Sequence, residues 1–285
     1  MTDNLDDSLR NDDPMESPWV DRVEKSIITE PMIVFDHVSI SFGENAVLKD
    51  VSFNVGRGQT LCILGRSGVG KSVALRLLMG FLTPDSGSIR VEGQEIVGLS
   101  EDELQTIRKR ITLVFQNGAL FDSLTVRENI AFPLREREGL TDEKGIQDRV
   151  DHLLDMVGAE EEAEDFPASL STGRKRAVAI ARALAAHPDV VLYDEPTTMV
   201  DPIIARRMAQ LIQKLKSQFG LTSIVVTHDM RFATELADSV VFLHLGEASF
   251  FGPLAEFLKS DNEQIQEFLA LDKYQLPSEQ TDGTS

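Results

Sequence analysis

Residues 59–80 read QTLCILGRSGVGKSVALRLLMG, and the fold turns on them. TLCIL (60–64) is a short, nearly unbroken apolar run of the kind a strand buried on both faces shows. GRSGVGKS (65–72) fits the pattern G-x-x-x-x-G-K-[ST]. KSVALRLLMG (71–80) then spaces its apolar residues for a helix. Strand, glycine-rich turn and helix in this order is the context the pattern requires. Gly65, Gly68 and Gly70 allow backbone angles and close approaches that a Cβ would block. Arg66, Ser67 and Val69 lie between them, so successive N–H groups can converge on phosphate oxygens at the positive end of the helix. Lys71 is expected to pair with the β- and γ-phosphates, and the Ser72 hydroxyl to ligate Mg²⁺.

A complementary piece lies about 120 residues downstream in VVLYDEP (190–196). An apolar strand ends there on Asp194 and Glu195. One carboxylate at such a strand end can hold Mg²⁺, directly or through water, and the next can orient an attacking water. The rest of the chain alternates in the same way. Strands are expected over 32–43, 47–55, 88–93, 110–116, 222–229 and 239–245, and helices from Ser100, over 172–186, over 202–219 and over 230–237. Ser100 and Glu103 form a capping-box pattern. Strands alternating with helices, several strands apolar throughout, indicate an α/β fold with a largely parallel sheet covered on both faces.

Composition narrows the function. The chain has 285 residues, 47 acidic and 28 basic side chains, and a net charge of −19. That balance argues against a nucleic-acid partner, whose phosphates need clustered Lys and Arg. A single cysteine, Cys62, leaves no internal disulfide and reads as a small core residue. No apolar run reaches the roughly 18–20 residues that span a bilayer. Residues 1–30 carry nine acidic and three basic side chains and no apolar stretch, so they read as a disordered tail rather than a signal peptide.

At this level the sequence resembles the ATP-binding subunits of ABC transporters over nearly all of residues 31–258. Gln116 follows ITLVF, 45 residues after Lys71, where that family has its Q-loop glutamine. LSTGRKRAVAIARAL, from Leu170, resembles the family's signature helix. Asp201 in TTMVD resembles the D-loop aspartate, His228 in IVVTHD the switch histidine, and Phe42 in SFG the aromatic that stacks on adenine. The resemblance implies an ABC-type P-loop NTPase cassette with a RecA-like core sheet, a small antiparallel β subdomain and a helical subdomain at about 117–186. On that division the cassette occupies 31–252, and 253–285 is a C-terminal helical extension with a polar tail.

The same resemblance implies that two copies sandwich two ATP molecules. Each site would combine Phe42 and Gly65–Ser72 of one copy with Ser171, Gly173 and Asp201 of the other. Glu195 would be the general base, His228 and Gln116 would position water and metal, and Ser72, Gln116 and Asp194 would hold Mg²⁺. With no spanning helix expected, the chain would dock on an integral-membrane permease at the cytoplasmic face of the inner membrane, through NGALFDSLTVREN (117–129). RKRITLVFQNGALFDSLTVRENIAFPLRE further resembles the ATPases of Mla-type phospholipid transporters, which work with MCE-domain lipid-binding proteins. That implies a lipid cargo and an MCE-type partner. The family signature usually reads L-S-G-G-Q, and here it reads L-S-T-G-R. Thr172 and Arg174 therefore raise the alternative of a regulatory or scaffold subunit with weak hydrolysis; an ABC ATPase for another cargo is a further alternative.

Near the end, PLAEFLKSDNEQIQEFLAL (253–271) spaces apolar residues for two short amphipathic helices broken near Ser260 and Asp261. They can pack on the chain's own sheet or on a second copy, and truncation after Gly252 is then expected to leave ATP binding intact.

Overall fold

Residues 31–136 and 142–271 are described by a computed structural model; the acidic stretch 1–30 and the polar end after 271 lie outside the described residues. Alternating apolar residues make β1 (Ile33–Phe42) and β2 (Asn45–Val55) an antiparallel hairpin. β4 (Ser86–Val91) joins the other side of β1, and the two-residue β5 (Gln94–Glu95) closes a four-stranded sheet of order β2-β1-β4-β5. Ile33, Phe35, Val38 and Ile40 point into the core, and the Phe35 and Phe53 rings stack with centroids 4.4 Å apart.

The second sheet has six strands in the order β10-β9-β3-β8-β7-β6. β3 (Thr60–Leu64), β6 (Ile111–Val114), β7 (Val190–Asp194), β8 (Thr222–Thr227) and β9 (Ser239–His244) run parallel. β10 (Glu247–Pro253) pairs antiparallel with β9 at the edge. This sheet divides the protein between two cores, because successive strand residues face opposite ways. Leu61, Ile63, Leu192, Ile224 and Val241 join the antiparallel sheet, α1 (Lys71–Leu78) and α2 (Glu101–Arg110) in one core. Cys62, Leu64, Tyr193, Val225 and Phe242 join the remaining helices in the other. Those helices are α3 (Val126–Glu136), α4 (Glu143–Val157), α5 (Thr172–Ala185), α6 (Pro202–Phe219), α7 (Met230–Leu236), α8 (Leu254–Leu258) and α9 (Glu263–Leu271). Double-sided burial explains why β3, β7 and β8 are apolar without alternation.

Helix ends follow local chemistry. Ser100 and Glu103 make the reciprocal capping box at the start of α2. Asp142, Ser171, Asp201 and Asp229 each cap a helix by accepting a backbone N–H from its first turn. The two sheets are also fastened by charge. Glu92, just after β4, accepts from Arg57 at 2.5 Å and from Arg110, while Arg110 Nε donates to Asp189 at 2.6 Å beside β7.

The C-terminal helices spend their apolar residues within the chain. Phe257, Ile265, Phe268 and Leu269 are buried, and the Phe242 ring lies 5.7 Å from Phe257 and 5.1 Å from Phe268 between centroids. Each such side chain contributes about 1.5–3 kcal/mol on burial before entropy is subtracted. Of this apolar set only Leu271 stays largely exposed, so the alternative of contact with a second copy gives way to packing on the chain's own β9 and β10. Among the described residues no helix is long and apolar enough to cross a membrane.

Candidate functional site

The C-terminal ends of β3, β8 and β7 lie side by side, and the loops leaving them meet at one place, as expected for ligands of open parallel sheets. The glycine-rich loop leaves β3. Gly65 has φ +148° and Gly70 φ +106°, both in the region that favours glycine. A Cβ on Gly65 would lie 2.5 Å from the Leu243 carbonyl oxygen, and one on Gly70 2.7 Å from Leu48 Cδ2. α1 begins at Lys71, so its N-terminal N–H groups open towards the loop.

Lys71 is 5 % exposed and its ammonium is fully engaged. Nζ donates to the Gly65 carbonyl at 2.9 Å and the Arg66 carbonyl at 3.2 Å, and pairs with Glu195 Oε1 at 3.2 Å. Next to it, the Ser72 hydroxyl donates to Asp194 Oδ1 at 2.7 Å. A hydroxyl and a carboxylate at a helix N-terminus, with the Gln116 amide lining the same cavity, form the hard oxygen set that Mg²⁺ prefers. The residues present therefore fit that ion.

Glu195 follows the last residue of β7 and is bent sharply, with φ +49°. Its Oε2 accepts from the Thr198 hydroxyl at 3.1 Å and meets His228 Nδ1 at 2.8 Å. His228 comes directly after β8, so neighbouring strands deliver Glu195 and His228 to one place. A carboxylate clamped between a lysine and a histidine, one residue from a hard-oxygen set, is equipped to take a proton from water.

These groups line a cavity of about 850 Å³ together with Phe42, Arg66, Ser67, Gly68 and Gly70. Phe42 ends β1 and is 49 % exposed, free to offer a ring face to a planar ligand. The volume, one aromatic wall and a phosphate-type loop suit a nucleoside triphosphate.

Comparison with known proteins agrees with this geometry. The family described as ABC transporter matches residues 48–198, more than half of the chain. This chain belongs to the ABC transporter family. The methionine import ATP-binding protein MetN of Brucella abortus is 41 % identical over 233 residues, 81 % of this chain and 63 % of that protein. MetN 2 of Paraburkholderia xenovorans is 38 % identical over 256 residues, 88 % of this chain and 66 % of its own length. The chain thus spans about three-fifths of the length of the first of these relatives. Among solved structures, the ATP-binding cassette MJ0796 in a dimeric post-hydrolysis state with ADP and Pi superposes with TM-score 0.72 at 33 % identity, over 78 % of this chain and 99 % of that one. cbiO1 from Clostridium perfringens, part of the transporter complex cbiONQ, superposes with TM-score 0.76 at 28 % identity, over 85 % and 95 %. The cassette fold expected from the sequence is therefore the fold observed. The relatives carry the name of methionine importers and give no support to the finer resemblance to lipid-transporter ATPases.

Within this ABC cassette the sequence-derived residues divide into two groups. Phe42, Arg66, Ser67, Gly68, Gly70, Lys71, Ser72, Gln116, Glu195 and His228 line one cavity, with Gly65 and Asp194 hydrogen-bonded to its lining. Val69 behaves differently. Its side chain packs against the core and borders a smaller neighbouring cavity, and its N–H is 3.4 Å from the Arg66 carbonyl it donates to. Ser171, Gly173 and Asp201 do not line the cavity. Ser171 caps α5 through Arg174 N, Gly173 sits against Ile204, and Asp201 caps α6. Thr172 faces solvent, and the added charge of Arg174 is met by Glu162 Oε1 at 2.9 Å.

Five residues of the ABC cassette's cavity escaped sequence reasoning. Val47 of β2, Val73 of α1, Thr198 after β7, and Phe268 and Leu271 of α9 also line it, and Arg66 reaches Glu267 at 3.6 Å. The C-terminal helix is therefore a wall of the nucleotide site. That revises the expectation that truncation after Gly252 leaves ATP binding intact. The period of residues 263–271 showed an amphipathic helix, but nothing local told where it would dock.

Proposed function

We propose that this chain binds and hydrolyses ATP to drive an ABC transporter, working as a pair of copies docked on an integral-membrane permease at the cytoplasmic face of the membrane. The observation that carries it is the placement of Glu195 between Lys71 and His228, one residue from the Ser72–Asp194 pair. ATP would lie with its base on Phe42 and its phosphates in the 65–72 loop. Lys71 and the loop N–H groups offset the charge that spreads over the γ-phosphoryl oxygens. Glu195 accepts a proton from the attacking water while the water oxygen bonds to the γ-phosphorus. The bond from that phosphorus to the bridging oxygen breaks, and ADP leaves with the electron pair. Ser72 and Asp194, beside Gln116, would hold Mg²⁺, which would supply charge neutralisation for the phosphates.

Pairing of two copies supplies a use for Ser171, Gly173 and Asp201, which sit outside the cavity of their own chain. The N-terminus of α5 carries the positive end of a helix dipole and can face a γ-phosphate held by the other copy. The solved structure of the related MJ0796 cassette is dimeric. ATP would then bias a closing motion and hydrolysis would release it. Permease docking is supported by the exposed Phe81 and Phe115 rings, which flank a cavity of about 540 Å³ with Arg108, Lys109 and Glu136 just beyond β6. Of the two residues that motivate the scaffold alternative, Arg174 is paired with Glu162, while Thr172 stays exposed at the N-terminus of α5 that is offered to the other copy. Steady-state ATPase measurement on the purified chain, alone and with its permease, tests the reading. Magnesium-dependent phosphate release supports it, and ATP binding without turnover in both states contradicts it.

Two cargo readings follow from different observations. The relatives' names favour methionine. The segment 117–136, NGALFDSLTVRENIAFPLRE, favours a phospholipid handed on with an MCE-type partner. An ATPase subunit meets the permease rather than the cargo, so its overall identity to relatives reports the cassette more than the solute. Stimulation of the reconstituted complex by methionine with its binding protein, or by lipid-loaded MCE protein, separates the two.

A further inference from the structure

Arg176 is a cation in the wrong place for a surface residue. It lies inside α5, five positions after Ser171, is 4 % exposed, and its neighbours Val178, Ala179 and Ile180 are core. Among the described residues no carboxylate is paired with it. Its Nη1 donates to the Pro196 carbonyl and its Nη2 to the Thr198 carbonyl, while Nε has no hydrogen-bond partner. Burial pushes its pKa down. Taking a guanidinium out of water without an anion is unfavourable, so an apolar residue would serve α5 better if packing were the only demand.

The two carbonyls bracket Thr197, in the turn that follows Glu195. That turn is strained. Glu195 at φ +49° and Met199 at φ +61° are both non-glycine residues in the left-handed region. Such conformations are unfavourable for residues that carry a Cβ and persist where their surroundings over-determine them. The Thr198 hydroxyl in the same turn donates to Glu195 Oε2 at 3.1 Å. A planar fork that grips the 196 and 198 carbonyls together fixes the turn in a way that a point-charge ammonium cannot match.

We propose that Arg176 is a positioning residue that locks the Glu195 turn to α5, the helix whose N-terminus carries Ser171 and Gly173. The inference rests on the reading of Glu195 as the base. It makes one rigid unit of the residues that serve a chain's own nucleotide and those offered to the other copy's, because α5 holds both. Gly173 against Ile204 of α6 adds a second contact between α5 and the segment after Glu195.

The test places Arg176→Met and Arg176→Lys in the full-length chain, each in the natural background and in Glu195→Gln. Hydrolysis of Mg-ATP, equilibrium ATP affinity and melting temperature are read for all. Arg176→Met is expected to lower kcat about 10- to 100-fold with the ATP dissociation constant within about twofold, and Arg176→Lys to recover part of the loss. In the Glu195→Gln background Arg176→Met should change the residual rate less than about twofold, since it acts through Glu195. Unchanged kcat, or an equal loss in both backgrounds, or a loss that tracks the folded fraction, overturns the inference. Should Arg176→Met fail to fold, Arg176→Lys is read by the same criteria. A Glu195→Gln chain that hydrolyses ATP normally overturns the base assignment and this inference with it. An inactive Glu195→Gln beside a fully active Arg176→Met overturns the role of Arg176 alone.

Discussion

Glu195 and His228 face each other at 2.8 Å between Oε2 and Nδ1, each one residue beyond the end of a neighbouring parallel strand. An ionised carboxylate only accepts hydrogen bonds, so the imidazole must present its proton at Nδ1, which leaves Nε2 to face the cavity. His228→Ala removes this orienting bond without touching the phosphate loop. It is expected to lower kcat about 10- to 100-fold while ATP affinity stays within about twofold. Steady-state kinetics alongside an equilibrium titration checks both halves.

The wall supplied by α9 makes a separate prediction. Leu271 is 66 % exposed yet lines the nucleotide cavity, so Leu271→Asp should leave the melting temperature unchanged. A carboxylate placed beside a polyanion should weaken ATP binding about two- to fivefold, more at low salt than at high. Titration with a fluorescent ATP analogue at two ionic strengths reads the effect.

Glu92 joins the two sheets through Arg57 and Arg110. Burial by itself raises its carboxyl pKa, but the guanidinium hydrogen bonds from Arg110 and Arg57 outweigh it and hold the group below the ordinary glutamate range. A folded-state pKa below the unfolded one contributes stability that is present above about pH 4.5 and lost as pH falls through the folded value. Glu92→Gln should therefore lower stability at pH 7 by about 1–2 kcal/mol, and the gap to the natural protein should narrow towards pH 4. Urea midpoints at the two pH values measure it.

How much of this was legible in the sequence follows from how far each signal reaches. The places of Gly65–Ser72, Asp194 and Glu195 were readable because each sits at a strand end and the apolar runs announce the strands, whereas His228 was reached through the family resemblance. The capping box at Ser100 was readable because it is local. β10 was not anticipated: EASFFGP fully buries none of its side chains and shows no clean alternation. Phe268, Leu271 and Val47 join the cavity only through tertiary docking, which no local period encodes. Arg176 looked like one basic residue in the run RKR, and only its burial and its two carbonyl partners single it out.

Thr172 is exposed at the first position of α5, after the Ser171 cap. Thr172→Gly should leave ATP affinity of the isolated chain unchanged, because the residue lies outside its own cavity, and should preserve or raise turnover per site. A large loss of affinity in the isolated chain would place this segment in the chain's own site, against the paired-copy reading. Titration of dilute protein decides.

Glu195→Gln tests the central claim most directly, because it keeps the shape of the side chain and removes its ability to take a proton. Phosphate release in Mg-ATP, measured on the full-length chain together with ATP binding, should fall at least about 100-fold while binding persists. Release at a rate near that of the natural protein would contradict the account.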